Sequence, residues 1–234
     1  MKPLLIITGA SSGIGAATAE RFLTDGYQVV NLSRRAPAHA DVVHIETDLT
    51  AADWLTTTLP QLMPYLEAAT RVTLVHNAGA NARDSIADVT GNTLRRLLEV
   101  NVVAPALLTQ AVLPSLPAGS SIIYVGSTLS EIAVPNSVSY ATAKHALLGL
   151  MRATCQDLAG RQIHTACVCP GFTDTAMLRQ HVGHSEEVLA ALAAHVTQGR
   201  LIEPAEIAET IWFCSQQPVI NGAVIHANLG QCQS

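Results

Sequence analysis

Short apolar runs and stretches of helical spacing alternate along the chain from one end to the other. The runs are rich in Val, Ile and Leu and predict strands near 3–8, 27–32, 42–46, 72–76, 121–126, 163–168 and 223–227. Between them, apolar residues recur every three or four positions. This spacing predicts helices near 13–25, 51–67, 88–113, 139–159 and 204–215, with a shorter one near 185–196. Strands that are apolar throughout, rather than at every second residue, are covered on both faces. Joined by helices, they specify a parallel sheet. No linker, repeat or low-complexity stretch interrupts the series. The expectation is one α/β domain over residues 1–234, a doubly wound parallel sheet of seven strands with helices on both faces.

In such a sheet ligands bind beyond the carboxyl ends of the strands, near the point where strand order reverses. Gly9, Ser33 with Arg34, Asp48, Asn77, Ser127 and Pro170 each fall just past a predicted strand end. Six segments thus converge on one sheet edge, and a ligand site is expected there.

Composition narrows the classes. Only 13% of residues are charged and 49% are hydrophobic, about half the usual charged share. That gives a large core and suggests surface covered by other subunits, a homo-dimer or homo-tetramer. A net charge of −5 offers nothing to offset nucleic-acid phosphates. No run approaches the ~18 apolar residues of a membrane span, and the apolar stretch after Lys2 is taken up by the first strand. The protein is expected in the cytoplasm. Five cysteines (Cys155, Cys167, Cys169, Cys214 and Cys232) are odd in number and show no framework spacing, which fits reduced thiols. Cys167 and Cys169 point to one face of a strand, as buried small hydrophobes or as a metal half-site; no metal is expected. His181, His184, Glu186 and Glu187 likewise lack a completing ligand.

Thr8-Gly9-Ala10-Ser11-Ser12-Gly13-Ile14-Gly15 joins the first strand to the first helix. Gly9 suits a tight turn, Gly13 a close approach of backbone to pyrophosphate, and Gly15 close helix packing. The helix N-terminus then offers free N–H groups to phosphates. At the end of the second strand the position that is acidic in NAD-binding units is Ser33, followed by Arg34 and Arg35. A cation there accommodates a ribose 2′-phosphate, so NADP(H) is the expected cofactor, with solvated loop charges as the plainer alternative. Ser12 could add a hydroxyl.

Tyr140 and Lys144 lie one helical turn apart, and Ser127 stands upstream in another segment. A phenol ordinarily ionises near pH 10, and an ammonium at i+4 favours the phenolate. A hydroxyl beside it could hydrogen-bond a substrate oxygen. Chemistry of this kind acts on an alcohol or a carbonyl.

With these motifs the chain resembles the short-chain dehydrogenase/reductases in their compact single-domain, Rossmann-like form. The landmarks in family order are Thr8 to Gly15, Asp48, Asn77-Ala78-Gly79, Asn101, Ser127, Tyr140 with Lys144, and Pro170-Gly171 with Thr175. The resemblance implies that Tyr140 is general acid in reduction and general base in oxidation, opposite hydride transfer at nicotinamide C4. It implies that Lys144 assists Tyr140 and binds the nicotinamide ribose, and that Ser127 orients the carbonyl. Asn101 would hold a water beside the lysine through its backbone carbonyl. The cofactor would also meet Ser11, Ser12, Ile14, Ser33, the strand-end Asp48 with Leu49, Asn77, Ala78 and Gly79, and Pro170 with Gly171. Asp48 could instead cap the next helix, and Thr173 competes with Thr175 for the nicotinamide amide and pyrophosphate. His76 replaces an Asn of many relatives. Residues 176–199 match a variable substrate lid, with Met177 and Leu178 as apolar contacts. The ending His226-Ala227-Asn228-Leu229-Gly230-Gln231 departs from the family's Asp-Gly-Gly, leaving the assembly open. The expected activity is NADP-dependent reduction of a carbonyl or oxidation of a secondary alcohol. Alternatives are a 3-oxoacyl thioester reductase and an NADP-sensing binder without turnover.

Overall fold

In the computed structural model, which describes residues 2–231, seven parallel strands form one sheet. They are β1 (Lys2–Thr8), β2 (Gln28–Ser33), β3 (Val42–Glu46), β4 (Ala69–His76), β5 (Ser121–Val125), β6 (His164–Pro170) and β7 (Ala223–Ala227). Their order is β3-β2-β1-β4-β5-β6-β7. The direction of winding therefore reverses between β1 and β4, whose register pairs Ile6 with Leu74 and Ile7 with Val75. The crevice at this reversal is where the site forms. Continuous apolar runs follow from burial on both faces: Leu4 to Thr8 are all buried, as is all of β5.

One face packs against α2 (Trp54–Glu67), α4 (Ala104–Val112) and α5 (Val138–Asp157), through Trp54, Leu62, Leu108, Leu147 and Met151. The other packs against α1 (Gly13–Thr24) and α8 (Pro204–Gln216), through Phe22, Ile207 and Ile211. The expected doubly wound architecture is present.

The helix expected over 88–113 starts later, as α3 (Gly91–Leu98), because Thr90 caps it by accepting from the Thr93 N–H at 3.1 Å and Asp88 is spent on the Ser85 turn. It then passes through a π-helical turn, Glu99–Val103, into α4. The continuous helix Gly91–Ser115 is long and apolar enough to cross a membrane by length and composition. The sequence reading missed this because charged and amide residues break up any wholly apolar run. In the fold the helix rests one face on the sheet, burying Leu97, Leu108 and Val112.

His76 ends β4 fully inside the core, its Nε2 2.8 Å from the Thr109 hydroxyl. Burial pulls its pKa down to about 3, so the ring is neutral at pH 7. Unfolded, the same histidine binds a proton near pH 6.5. Between these values the unfolded state holds the extra proton, so stability falls as pH drops from about 6.5 towards 3, by up to about 1.4 kcal/mol per pH unit. His76→Asn is expected to flatten this slope. Urea midpoints of both proteins at pH 7 and pH 5 would show it, and equal slopes would count against the account.

Candidate active site

Gly9 leaves β1 with φ +77, a left-handed turn that glycine adopts at no steric cost. A Cβ on Gly15 would collide with the Gly9 carbonyl and the Asn77 amide, so α1 can dock here only without a side chain. Ser12, the N-cap of α1, makes no side-chain cap hydrogen bond, which leaves the first-turn N–H groups facing the crevice. The Ala10 N–H donates to Asn31 Oδ1 at 2.8 Å and fixes the turn against β2. Across the strand reversal, Asn77 Nδ2 donates to the Thr8 and Gly9 carbonyls at 3.0 Å. The Thr8 hydroxyl accepts from the Asn77 and Ala78 N–H groups. Asn77 thus ties β1 to β4.

One cavity of about 1230 Å³ runs along this edge. At one end lie Arg34, Arg35 and Asp48. The Ser33 hydroxyl donates to the Arg35 carbonyl at 2.7 Å and holds the turn that presents both arginines, each exposed. Asp48 accepts from the Thr50 N–H at 3.0 Å and hydroxyl at 2.7 Å. These bonds hold its carboxyl below the usual range, so it is an anion at pH 7. The alternative of Asp48 as helix cap is overturned: α2 begins six residues later, after Asp53. Leu49 is buried in the core beside it.

At the other end stand Ser127, Tyr140 and Lys144. Ser127 follows β5 and its Oγ accepts from the Leu129 N–H at 3.2 Å, which leaves the hydroxyl proton available to an oxygen in the cavity. The buried Lys144 Nζ donates to the Val125 carbonyl at 2.8 Å and lies 5.7 Å from the centre of the Tyr140 ring. A Cβ on Gly79 would press on Asn101 Oδ1 at 3.2 Å while meeting Lys144 Nζ only at ordinary contact distance. Asn101 sits in the π-helical turn, an element often found at functional sites. Its amide donates to the Ala80 and Leu97 carbonyls at 3.1 and 2.9 Å. Its buried Oδ1 has no partner among the described residues.

A contact the sequence reading missed aligns this end. Asp84, also buried, accepts from the Ser139 N–H at 2.9 Å and from the Ser139 hydroxyl, while its carbonyl accepts from Val138 N–H. The N-cap residue of α5, Ser137, supplies no side-chain cap, so a carboxylate from 55 residues away in sequence does so, one position before Tyr140. Only three-dimensional proximity reveals this pairing.

Thr175 and Thr173 separate cleanly. Thr175 packs on the glycine turn, its methyl 3.2 Å from where a Gly13 Cβ would be. It also caps a short helix α6 (Ala176–His181) that the sequence reading did not anticipate. Thr173 turns back to the Gly171 carbonyl at 3.1 Å, and Gly171 N–H donates to Ala227. The lid is α6 followed by α7 (Glu186–Ala194). Arg179 braces it with paired bonds to Asp174 at 2.6 and 2.7 Å and one to Glu186 at 2.9 Å. Met177, Leu178, Val182 and Val188 face the cavity. His181 approaches Asn81 at 3.3 Å.

The C-terminal segment folds onto the lid base, where Leu229 accepts from the Thr197 hydroxyl at 2.8 Å and Val196 bridges Gln231. Cys167 and Cys169 share one face of β6 in the core, their sulfurs 3.8 Å apart; Cys232 lies outside the described residues.

The edge therefore offers a phosphate-suited turn with a cationic end, and a hydroxyl pair with an ammonium at the other. A family model described as enoyl-(acyl carrier protein) reductase matches residues 9–231. An uncharacterized oxidoreductase of Methylorubrum extorquens is 32% identical over 239 residues, 96% of each chain. Ligand-free aldohexose dehydrogenase of Thermoplasma acidophilum superposes with a TM-score of 0.91 at 27% identity, over 98% of this chain and 94% of that one. Angucycline C-6 ketoreductase LanV with bound NADP gives 0.87 at 30% identity, over 98% and 95%.

Proposed function

The chain belongs to the short-chain dehydrogenase/reductase family of oxidoreductases, and from that premise we propose that it is an NADP(H)-dependent carbonyl reductase with Tyr140 as general acid. One observation carries the reading: Ser127, Tyr140 and Lys144 line the same cavity as Arg34 and the Gly9–Gly15 turn. The residues suit a dinucleotide phosphate because Gly15 admits nothing larger and the first turn of α1 is uncapped by side chains. Arg34 would hold the 2′-phosphate and Asp48 the adenine amine. Ser11, Ser12 and the first-turn N–H groups would hold the pyrophosphate, with Thr175 against Gly13. Pro170, Gly171 and Thr173 would back the nicotinamide. LanV, similar at 30% identity, is a ketoreductase with NADP bound, which supports both the cofactor and the ketone.

When bound, NADPH supplies the hydride. The protein's own groups do the rest. The Ser127 hydroxyl donates to the substrate oxygen and fixes the carbonyl face. The Tyr140 hydroxyl gives its proton to that oxygen as alkoxide charge develops, a role that contributes about 10²–10⁴-fold in general acid catalysis. Lys144, with one donor committed to Val125, has two more for ribose hydroxyls. In oxidation the same groups run in reverse.

NADPH consumption against a panel of ketones and aldehydes tests this. Turnover of at least one with the matching alcohol as product is the expected result. Tight NADPH binding with no turnover of any would favour a cofactor-sensing binder instead.

A further inference from the structure

An amide stands in the middle of a strand that is otherwise apolar. Asn31 is 0% exposed, and Val29, Val30 and Leu32 around it on β2 are buried too. A buried amide costs free energy unless its polar atoms find partners. Both atoms do, in three separate segments. Oδ1 accepts from the Ala10 N–H of the glycine turn at 2.8 Å. Nδ2 donates to the Ser33 hydroxyl at 2.8 Å and meets Nδ1 of His44, its register partner on β3, at 3.1 Å.

Chemistry fixes the direction of each bond. A backbone N–H can only donate, so the Asn31 atom against Ala10 is the carbonyl oxygen and the other is the amide nitrogen. That nitrogen carries two hydrogens, so Ser33 Oγ and His44 Nδ1 both accept, and the His44 ring proton belongs on Nε2. Having accepted from Asn31, the Ser33 hydroxyl donates its own hydrogen to the Arg35 carbonyl at 2.7 Å. The series runs head to tail from Ala10 through Asn31 and Ser33 to Arg35, and bonds in such a series polarise one another.

Backbone bonds fix only the roots of the two turns. The Gly9 N–H donates to the Leu32 carbonyl at 3.0 Å, and the Thr47 N–H to the Ser33 carbonyl at 3.1 Å. Past these points the amide adds a side-chain connection from one turn to the other. Gly9, Ser11, Ser33, Arg34 and Arg35 line the cavity, whereas Asn31 lies behind its wall and acts through them.

We propose that Asn31 is a positioning residue for the cofactor: one buried amide holds the pyrophosphate turn and the 2′-phosphate turn in a fixed relation, and nucleotide preference depends on it by way of Ser33. The choice of nucleotide rests on the NADP(H) reading above; the hydrogen-bond series does not.

Fluorescence titration of NADPH and NADH tests the proposal on the unaltered protein, Asn31→Leu, Ser33→Ala and the double variant, with thermal unfolding of each as the measure of folding. Leucine has nearly the shape of asparagine and suits an apolar strand. Asn31→Leu removes the anchor of the glycine turn, so affinity for both nucleotides is expected to fall about tenfold. The NADPH-over-NADH ratio should fall by about threefold more, as the Arg35 turn loses its support. Ser33→Ala keeps the bond between Asn31 and Ala10, and its main effect should be a fall in the same ratio by a similar factor. In the double variant the ratio should drop no further than in Asn31→Leu, since both changes cut one series; independent contributions would multiply. An amide with only a structural role would weaken both nucleotides alike and leave the ratio fixed. With a carbonyl substrate, KM for NADPH should rise in Asn31→Leu while kcat at saturation stays within about twofold, because Ser127 and Tyr140 stand at the other end of the cavity.

A preference for NADPH that survives in both single variants overturns the coupling and leaves the NADP(H) reading standing. Losses that multiply in the double variant overturn the single series. Equal affinity for the two nucleotides in the unaltered protein overturns the reading and the coupling together. If Asn31→Leu does not fold, Ser33→Ala decides: an unchanged ratio overturns the proposal.

Discussion

Replacing Tyr140 with Phe is expected to lower kcat for carbonyl reduction by about 10²–10⁴-fold, with NADPH affinity and folding stability almost unchanged. The substitution deletes one oxygen and keeps the ring. That ring is half-buried on α5, a helix of 20 residues whose start is held by Asp84 rather than by the tyrosine. Lys144 keeps its bond to Val125, so the ammonium and its ribose-facing donors stay in place. Stability should therefore move by no more than about 0.5 kcal/mol, the usual range for substitutions that create neither cavity nor orphaned polar group. What is lost is the proton delivered to the nascent alkoxide. Fluorescence titration with NADPH and steady-state kinetics on the same preparation separate the two effects. A variant with full activity would show that another group donates the proton, and a variant that no longer binds NADPH would show that the hydroxyl is structural.

The elements that could be read from sequence are those whose determinants are local. The strands came from runs such as Leu4 to Ile7, and the glycine turn from the spacing of Gly9, Gly13 and Gly15. These are properties of a few adjacent residues, and the strand starts differ from the reading by three residues at most, at β4, which begins at Ala69. What escaped depends on partners far along the chain. Asp84 reads as one more loop acid until Ser139 is seen across from it. Asp48 and Asp53 both precede α2, and either could have capped it by composition; Thr50 claims the first. The short helix α6 offers too few turns for a period to register, and its start is set by the Thr175 cap alone.

Arg34→Asp is expected to reverse the cofactor preference, changing the ratio of kcat/KM for NADPH over NADH by about 10²-fold or more. A hydrogen bond to a charged group contributes about 1.5–3 kcal/mol, or about 10- to 150-fold, and a carboxylate in its place adds repulsion towards a dianionic phosphate while offering an acceptor to the ribose 2′-hydroxyl. The turn that presents residue 34 does not depend on the guanidinium. It is set by the Ser33 hydroxyl on the Arg35 carbonyl and by the Thr47 N–H on the Ser33 carbonyl, so the variant should fold as before. Arg34 is close enough to Asp48 to help keep that carboxyl ionised, although Thr50 does most of this. Removing the cation leaves two acids at the adenosine end, and NADPH should suffer more than NADH. Because the site is exposed, the preference of the unaltered protein should also weaken as salt rises through the range where the screening length falls below about 10 Å. Parallel kinetics with both nucleotides decide the matter. NADH used as well as NADPH by the unaltered protein would remove Arg34 from the 2′-phosphate, and an unchanged ratio in the variant would transfer that task to Arg35.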